Sequence, residues 1–342
     1  MKKIGICGHF GDKKNFLDGQ TVKTKIITQE LEKIYSVKTV DTFNGKKRIL
    51  IILIRLIKLL IQCENIIILP AQNSLRIIAP FLVFFNTIFK RKLHYVVIGG
   101  WLSTYLKDKE KLKKILKIFD YIYVETSIMK NSLESQGFKN IIVMPNCKKL
   151  EILEEKNLVY NKNKPYKLCI FSRVMKEKGI QDAIEAIIKY NQNSGEIIYT
   201  LDIYGQIDDS QKDWFNKVLQ KLPWFIQYKG FVQAEKSVMI LKNYYALLFP
   251  TKFYTEGVPG TIIDAYSAGI PVISSKWESF SDVIDERITG YGYAFENQKE
   301  FIEILDYFAN NVESINSLKK MCIRKAKEYI PKEVIKIILT RI

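Results

Sequence analysis

The chain has 342 residues, of which 47% are hydrophobic and 26% charged, and its formal net charge is +17. This length allows two ordinary domains with a sizeable core, and the composition excludes a disordered, collagen-like or disulfide-dense protein. Five scattered cysteines without a C-x-x-C pair indicate reduced thiols rather than a zinc site. The start, "MKKIGICGHFG", has no signal-peptide pattern, so we expect a cytoplasmic protein.

The basic excess lies almost entirely in the N-terminal part of the chain. Residues 1–150 contain 27 Lys and Arg against 11 Asp and Glu, whereas residues 151–342 contain 26 against 25. A solvated basic surface of no functional importance would spread its charge more evenly. The asymmetry therefore favours an anionic partner for this part: nucleic acid, a membrane surface or a phosphorylated substrate.

Short apolar runs alternate with helical stretches throughout residues 1–150. The helical stretches include "GQTVKTKIITQELEKIY" and "KNSLESQG". Strands that alternate with helices predict a parallel, doubly wound sheet. The predicted strands are "KKIGICG", "VKTVDT", "NIIILP", "LHYVVIGG", "YIYVET" and "NIIVMP".

Two longer apolar segments occur at 49–61 ("ILIILIRLIKLLI") and 77–89 ("IIAPFLVFFNTIF"). Neither reaches the roughly 18 residues of a transmembrane helix. In the first, Arg48, Arg55 and Lys58 share one helical face with Gln62, which predicts a buried helix with one wet edge. An interfacial membrane helix is the alternative.

A polar segment at about residues 148–166 resembles a linker, and a second alternating series follows it. We therefore predict two Rossmann-like domains, residues 1–150 and 166–325, that face each other across a cleft. The second series reads "KLCIFSR", "GIQDAIEAIIKY", "YTLDIYG", "WFIQYKG", "KSVMILKN", "YALLFP", "GTIIDAYSAG" and "IPVISS". We interpret its Asp208–Asp209 pair as a solvated turn rather than a metal site, and Trp214, Trp224 and Trp277 as packing residues.

The stretch "TEGVPGTIIDAYSAGIPVI" (255–273) places Glu256 and Asp264 on either side of a turn that leads into a helix. Ligands of open α/β sheets bind at the carboxyl ends of strands, and the amides of Gly260, Thr261 and Ile262 form an anion site at the helix start. We expect Asp264 in the first helical turn, facing a hydroxylated part of the ligand such as a ribose diol. Acidic residues that only offset the helix dipole are the alternative.

A second cluster, "CIFSRVMKEKGIQDAIEAI", is read as a strand, a basic loop and a helix that Gly179 opens. Arg173 and Lys178 follow the carboxyl end of that strand. Two cations at this position could bind a diphosphate and stabilise the charge that it gains when a bond to it breaks.

Together "SRVMKEKG", "FVQAEKSVMILKNYYALLFPT" and "EGVPGTIIDAYSAGIPVISS" resemble the donor half of the GT-B glycosyltransferases of family 4. The N-terminal "GHFGDKKNFLDGQTVKTK" and "YVVIGGWL" resemble a bacterial branch that assembles capsule, exopolysaccharide or O-antigen units. The resemblance implies an N-terminal acceptor-binding domain, a C-terminal nucleotide-sugar donor domain and retaining transfer without a metal or other cofactor.

The resemblance also implies roles for single residues. Glu256 matches the first glutamate of the E-x7-E signature, which touches the donor sugar, and Asp264 matches the second, which holds the ribose. Arg173 and Lys178 match the diphosphate-binding pair. Gly19 matches the glycine loop that approaches the donor phosphates, and the last helix, residues 332–342, is expected to pack back on the N-terminal domain.

The chain departs from the family pattern at two places. The second signature carboxylate is Asp264, one methylene shorter than glutamate. The catalytic-site histidine of many relatives is replaced by Gly99–Gly100. We interpret His94, at the start of that strand, as structural, whereas His9 in the glycine loop faces the expected cleft and could be structural or functional.

These observations lead to one main hypothesis with alternatives. The protein is expected to transfer a sugar from a nucleotide diphosphate, UDP in our interpretation, to a polyprenyl-diphosphate-linked saccharide at the inner face of the membrane. The catalytic candidates are Glu256, Arg173 and Lys178. A transferase with a soluble acceptor, a basic nucleic-acid-binding protein and a catalytically inactive scaffold remain open.

Overall fold

The structure is a computed structural model that describes residues 2–11 and 19–342, except for the side chains of residues 45–47. Residues 12–18 of the glycine loop lie outside this description. The chain forms two compact units: one contains Met1–Lys149 with Tyr329–Ile342, and the other contains Leu150–Glu328.

The first unit is built on a six-stranded parallel sheet. Its strand order is β2-β1-β3-β4-β5-β6, which reverses direction between β1 and β3. The strands are β1 (Lys3–Gly8), β2 (Ser36–Asp41), β3 (Asn65–Leu69), β4 (Lys92–Val96), β5 (Tyr121–Val124) and β6 (Ile141–Val143). These are the six apolar runs from which the sequence predicted strands.

Helices cover both faces of this sheet. One core lies between the sheet and α1, and a second lies between the sheet and the helices from α2 to α6. Both faces are therefore buried, as a parallel sheet requires. The helices are α1 (Gly19–Glu32), α2 (Gly45–Gln62), α3 (Gln72–Phe89), α4 (Leu102–Leu106), α5 (Glu110–Leu116) and α6 (Ser127–Glu134).

The second unit repeats this architecture. Its parallel sheet has the order β12-β11-β10-β7-β8-β9, so β7 and β10 are central neighbours from which the chain winds in opposite directions. The strands are β7 (Tyr166–Phe171), β8 (Tyr199–Tyr204), β9 (Ile226–Gly230), β10 (Ala246–Phe249), β11 (Val272–Ser275) and β12 (Gly290–Tyr293). The predicted pair of Rossmann-like domains is confirmed.

Seven helices in the described part of the second unit join these strands or follow them. The large core packs mainly against the first and the last two of the seven. They are α7 (Ile180–Ser194), α8 (Lys212–Leu219), α9 (Ser237–Leu241), α10 (Gly260–Ser267), α11 (Phe280–Val283), α12 (Gln298–Asn310) and α13 (Val312–Ala326). The segment 150–165 is part of this unit, because Leu153 is buried and its amide donates to the Ser267 carbonyl at 2.8 Å.

After α13 the chain returns to the first unit through α14 (Pro331–Leu339). Val334, Ile335 and Ile338 on this helix are buried in the same core as α1 and the residues Ile4 and Ile6 of β1. The last helix thus completes one face of the N-terminal sheet.

Two predictions about side chains need correction. The wet edge of α2 is not only basic, because Leu50, Ile54 and Ile61 are also exposed there. Trp224 does not pack in a core but is 71% exposed, whereas Trp277 is buried as expected. The five cysteines are free and buried, and no helix among the described residues is long and apolar enough to cross a membrane.

Candidate active site at the carboxyl edge of the second sheet

The loops that carry the two predicted clusters start from neighbouring strands. Ser172 and Arg173 follow β7, and Pro250 and Thr251 follow β10, which pairs directly with β7. Because parallel strands end at the same edge of a sheet, both loops begin at the point where the strand order reverses. This is the position at which open α/β sheets bind ligands.

The two loops are held together at a close approach of the backbone. Gly179 has φ 67°, and a Cβ atom at this position would lie 1.8 Å from the carbonyl oxygen of Pro250. Only glycine combines this φ with this proximity. The Lys252 amide also donates to the Glu177 carbonyl at 2.8 Å. The contact places Lys178, the last residue of a 3-10 turn, beside the loop after β10.

Lys178 and Glu256 form a hydrogen-bonded ion pair, Nζ to Oε1, and each side chain is only 18% exposed. The Thr251 hydroxyl donates to the same carboxylate oxygen at 3.3 Å. The Lys178 ammonium also lies 4.9 Å from the ring centre of Phe253. The structure therefore brings together these two predicted residues, which are 78 positions apart in sequence.

Arg173 lies at the same edge but does not join this pair in any described contact. Its guanidinium is 3.7 Å from Asp208, and its side chain is 54% exposed. Hydrogen bonds from the side chain and then the backbone of Ser210 lower the pKa of Asp208, and Arg173 adds a smaller effect. Asp208 lies in a turn, as the sequence predicted, and also forms an ion pair with Arg173.

Of the three backbone amides at the start of α10 that were predicted to bind an anion, two are available and one is not. The Ile262 amide already donates to the Pro259 carbonyl at 3.0 Å, so it is not available to an anion. Gly260 and Thr261 are the first two helical residues, whose amides have no acceptor within a helix. The Thr261 hydroxyl is buried and makes no hydrogen bond within the described chain. This helix start therefore has unused donors.

Asp264 does not lie in the first turn of α10, as the sequence predicted, but in the second, because the helix begins at Gly260. Its side chain is buried, and Oδ1 lies 3.0 Å from the Ser237 hydroxyl on α9, whose single proton is shared with the Ala234 carbonyl at 2.7 Å. Sequence analysis missed Ser237 because the packing of α9 against α10 gives no local signal. A ribose at this position would share the carboxylate with Ser237.

The other candidates lie in the first unit, at the carboxyl edge of its sheet. His9 follows β1, and its Nδ1 lies 2.7 Å from the Thr21 hydroxyl on α1. Gly19 is the first residue of α1, and a Cβ atom there would meet nothing within 4 Å. Gly99, with φ 82°, and Gly100 follow β4.

His94 and a buried ion pair occupy the interior of the first unit. The His94 ring is fully buried between the Tyr123 hydroxyl at 3.0 Å and Asn65 Oδ1 at 3.1 Å, and burial lowers its pKa to about 4. Lys23 on α1 lies 2.7 Å from Glu125, just after β5, and both side chains are nearly inaccessible. Sequence analysis did not identify this pair, although a lysine on the buried face of a helix was a possible signal.

Among the described residues, no group of three or more His, Cys, Asp or Glu side chains is arranged to hold a metal ion. The two cationic residues that the sequence predicted, Arg173 and Lys178, lie at the carboxyl edge of the second sheet. The loop with Glu256, which pairs with Lys178, leads from the same edge to the open donors of α10. Cations and amide donors at one edge of a sheet suit a phosphorylated ligand with hydroxyl groups.

Comparison with known proteins identifies the class of this chain. The family model "Glycosyl transferases group 1" matches residues 153–329, which is more than half of the chain. The chain therefore belongs to the glycosyl transferases group 1 family. The matched region contains every candidate residue of the second unit.

Individual relatives are distant. The chain is 24% identical over 253 residues to an uncharacterised 41.2 kDa protein in the cps region of Klebsiella pneumoniae, and this match covers 68% of the chain and 66% of that protein. It is 25% identical over 133 residues to the amylovoran biosynthesis glycosyltransferase AmsK of Erwinia amylovora, covering 38% of the chain and 32% of AmsK. The chain thus spans less than two thirds of the length of these curated relatives.

Among solved structures, the chain is similar to Anabaena Alr3699/HepE in complex with UDP. The TM-score is 0.73 at 12% identity, and the match covers 99% of both chains. HepE was also solved in complex with UDP-glucose. Similarity to this and other glycosyltransferase structures confirms the predicted GT-B fold of two Rossmann-like domains.

Proposed function

We propose that this protein is a retaining glycosyltransferase of the family 4 type that uses a UDP-sugar as donor. The acceptor in this proposal is a polyprenyl-diphosphate-linked saccharide in surface polysaccharide synthesis. The observation that carries the proposal is the convergence of Arg173, Lys178, Glu256 and the start of α10 at one edge of the second sheet. The UDP complexes of HepE and the amylovoran role of AmsK support the donor and the pathway class.

In this mechanism the bond between the sugar carbon and the diphosphate breaks, and the departing diphosphate keeps the electron pair. Arg173 and Lys178 would stabilise the new negative charge in place of a metal, helped by the amides of Gly260 and Thr261. The oxygen of the acceptor hydroxyl bonds to the sugar carbon on the face that the diphosphate leaves. Its proton passes to an oxygen of the diphosphate.

Glu256 would accept hydrogen bonds from hydroxyls of the donor sugar. The ion pair with Lys178 supports this role. Lys178 would contact the diphosphate, and the donor sugar is bonded to that diphosphate, so a carboxylate beside Lys178 would lie near the sugar. Asp264 would accept from the ribose next to Ser237, because a carboxylate has room for several donors. In the first unit, Gly19 would leave space for the donor phosphates, and His9, Gly99 and Gly100 would lie near the acceptor.

Calorimetric titration with UDP and with GDP tests the donor assignment. We expect UDP to bind with micromolar affinity and Arg173→Ala to weaken binding by about 1.5–3 kcal/mol, as for a charge-assisted hydrogen bond. Lys189→Ala is the matched control, because Lys189 is exposed on α7 but lies nine residues from the helix start. A folded protein that binds neither nucleotide, or an equal loss in both variants, would contradict the proposal.

Product analysis tests the acceptor and the stereochemistry. Incubation with UDP-sugars and either a polyprenyl-diphosphate-linked saccharide or the free saccharide should yield product with the lipid-linked form. Proton NMR of the new linkage should show the anomeric configuration of the donor. Equal transfer to the free saccharide would favour a soluble acceptor, and an inverted linkage would rule out retention.

A further inference from the structure

Two neighbouring helices of the first unit expose apolar side chains that do not contribute to the core of that unit. Helix α2 buries Ile52, Leu56, Leu59 and Leu60 against the sheet, and α3 buries Leu75, Ile78, Ala79 and Leu82. Seven large apolar side chains of these helices each expose between 47% and 73% of their surface. Ile51 is one of them and lies among the basic residues of α2, whereas the other six lie opposite the core. They are Leu50, Ile54 and Ile61 on α2 and Ile77, Phe84 and Ile88 on α3, and we call them the α2–α3 face.

The spacing of these side chains makes each set a continuous stripe. Leu50, Ile54 and Ile61 are four and then seven residues apart, and so lie on one side of α2. Ile77, Phe84 and Ile88 repeat at seven and then four residues on α3. The two helices pack against each other over the same core, so both stripes point away from that core. Scattered exposed apolar residues are normal, but a contiguous set marks a contact surface.

The charged residues of α2, of α3 and of the C-cap of α3 are all positive. Along one edge of α2, Arg48, Arg55 and Lys58 are exposed. In α3, Arg76 is exposed in the second turn and Lys90 at the C-cap. No aspartate or glutamate occurs in residues 45–62 or 72–90. A second copy of this chain docked on the same face would bring these positive charges together, because a twofold interface pairs a surface with itself. An anionic surface with an apolar interior fits both features.

We propose that the α2–α3 face is a membrane-docking surface, on which α2 and α3 lie in the plane of an anionic bilayer. Helix α2 has 18 residues and would extend about 27 Å along the membrane. Its isoleucine and leucine side chains would enter the boundary between headgroups and acyl chains, while the arginines and lysines contact lipid phosphates. This inference uses only the first unit and does not depend on the donor site of the second.

Co-sedimentation with lipid vesicles tests the proposal. The full chain should sediment with vesicles of phosphatidylcholine containing phosphatidylglycerol, and much less with phosphatidylcholine alone. The double variant Ile54→Asp/Phe84→Asp should partition at least about tenfold less, because it places two charges where apolar side chains would be buried. The variant Arg55→Gln/Lys58→Gln should lose about fivefold per charge on the anionic vesicles only.

Trp224→Asp is the matched control, because Trp224 is a large exposed apolar residue on the second unit. This variant should sediment like the unmodified chain. All variants should keep the melting temperature and the affinity for UDP of the unmodified chain. If the unmodified chain binds vesicles but not UDP, the docking surface stands and only the donor assignment fails.

Three results would overturn the proposal. The unmodified chain could fail to sediment with anionic vesicles. Ile54→Asp/Phe84→Asp could sediment as well as the unmodified chain. Light scattering could show a dimer that this double variant converts to monomer, while vesicle binding is absent, and the face would then be a contact between copies.

Discussion

At the residue scale, Asp264 has a side chain one methylene shorter than the glutamate that the family resemblance implies, and this limits what its carboxylate can reach. Asp264 is too short to reach far from its helix, and its Oδ1 is engaged by the Ser237 hydroxyl at 3.0 Å. The ribose role that the family resemblance implies therefore requires a ribose hydroxyl to reach a buried carboxylate beside Ser237. This makes the contribution of Asp264 measurable against that of Ser237.

We expect Asp264→Asn to weaken UDP binding through the ribose. The affinity of the unmodified chain should be greater for UDP than for 2′,3′-dideoxy-UDP by about 1.5–3 kcal/mol, because the analogue lacks the donors to a charged acceptor. This difference should disappear in Asp264→Asn, and calorimetry with both ligands measures it. Ser237→Ala is the control and should keep the difference. If Asp264→Asn also keeps it, the carboxylate has only a structural role.

A second prediction at this scale concerns His94 and pH. Burial, with a smaller effect of Lys92, lowers the pKa of His94 from 6.5 to about 4. The unfolded chain thus takes up a proton at higher pH than the folded chain. The contribution of neutral His94 to stability should be complete above about pH 6.5 and decline by about 3 kcal/mol as the pH falls to about 4.

Urea unfolding of the first unit between pH 7 and pH 4 measures this effect. The variant His94→Gln removes the titrating group and keeps a polar side chain near Tyr123 and Asn65. We expect its unfolding free energy to depend less on pH than that of the unmodified chain. Parallel pH dependences of the two proteins would show that His94 is not the group responsible.

At the element scale, α7 has a glycine with positive φ at each end, and the two glycines differ in their surroundings. Gly179 at the start has φ 67°, and Gly195 at the end has φ 68°. A Cβ atom at Gly179 would collide with the Pro250 backbone, whereas at Gly195 it would meet nothing within 4 Å. The first glycine therefore determines where the loop with Lys178 lies, and the second only ends the helix.

This pair of glycines allows a matched test. Gly195→Ala should cost about 1 kcal/mol of unfolding free energy, the usual penalty for alanine in a left-handed conformation. Gly179→Ala carries the same penalty and must also displace the loop from Pro250, so we expect a larger loss and weaker UDP binding. Urea unfolding and calorimetry measure the two effects. Equal losses in both variants would mean that the contact with Pro250 does not position the site.

At the scale of the whole molecule, the chain leaves the first unit after Lys149 and returns to it at Tyr329. The returning helix α14 buries Val334, Ile335 and Ile338 beside strand residues from the start of the chain. The first unit is therefore completed only when the last part of the chain is in place.

Replacement of one buried residue on α14 tests this dependence. Ile338→Ala should destabilise the first unit by about 2–5 kcal/mol, the usual cost of a cavity at a fully buried isoleucine. Hydrogen exchange should become faster in β1 and β3 but not in β7 and β8. The control Lys336→Ala removes an exposed side chain from the same helix. It should change neither the stability of the first unit nor its hydrogen exchange. Faster exchange in both units would indicate that they unfold together.

Much of the fold could be predicted because its signals are local. All sixteen strands and helices that were quoted from the two alternating series are present, since a short apolar run of β-branched residues forms a buried parallel strand. Arg173, Lys178 and Glu256 could also be placed at one edge, because their loops follow strands that end at that edge. The position of Asp264 could not be predicted, because it depends on which residue begins α10.

The sequence by itself determined the order of the elements, their parallel arrangement and the edge at which the candidate site lies, since these depend on apolar periodicity and chain direction. Only the tertiary structure decided which side chains meet: Lys178 with Glu256, Lys23 with Glu125, and Asp264 with Ser237. It also decided that α2 and α3 keep an apolar face exposed. The physical reason is that contacts between distant residues depend on packing distances, which no local pattern contains.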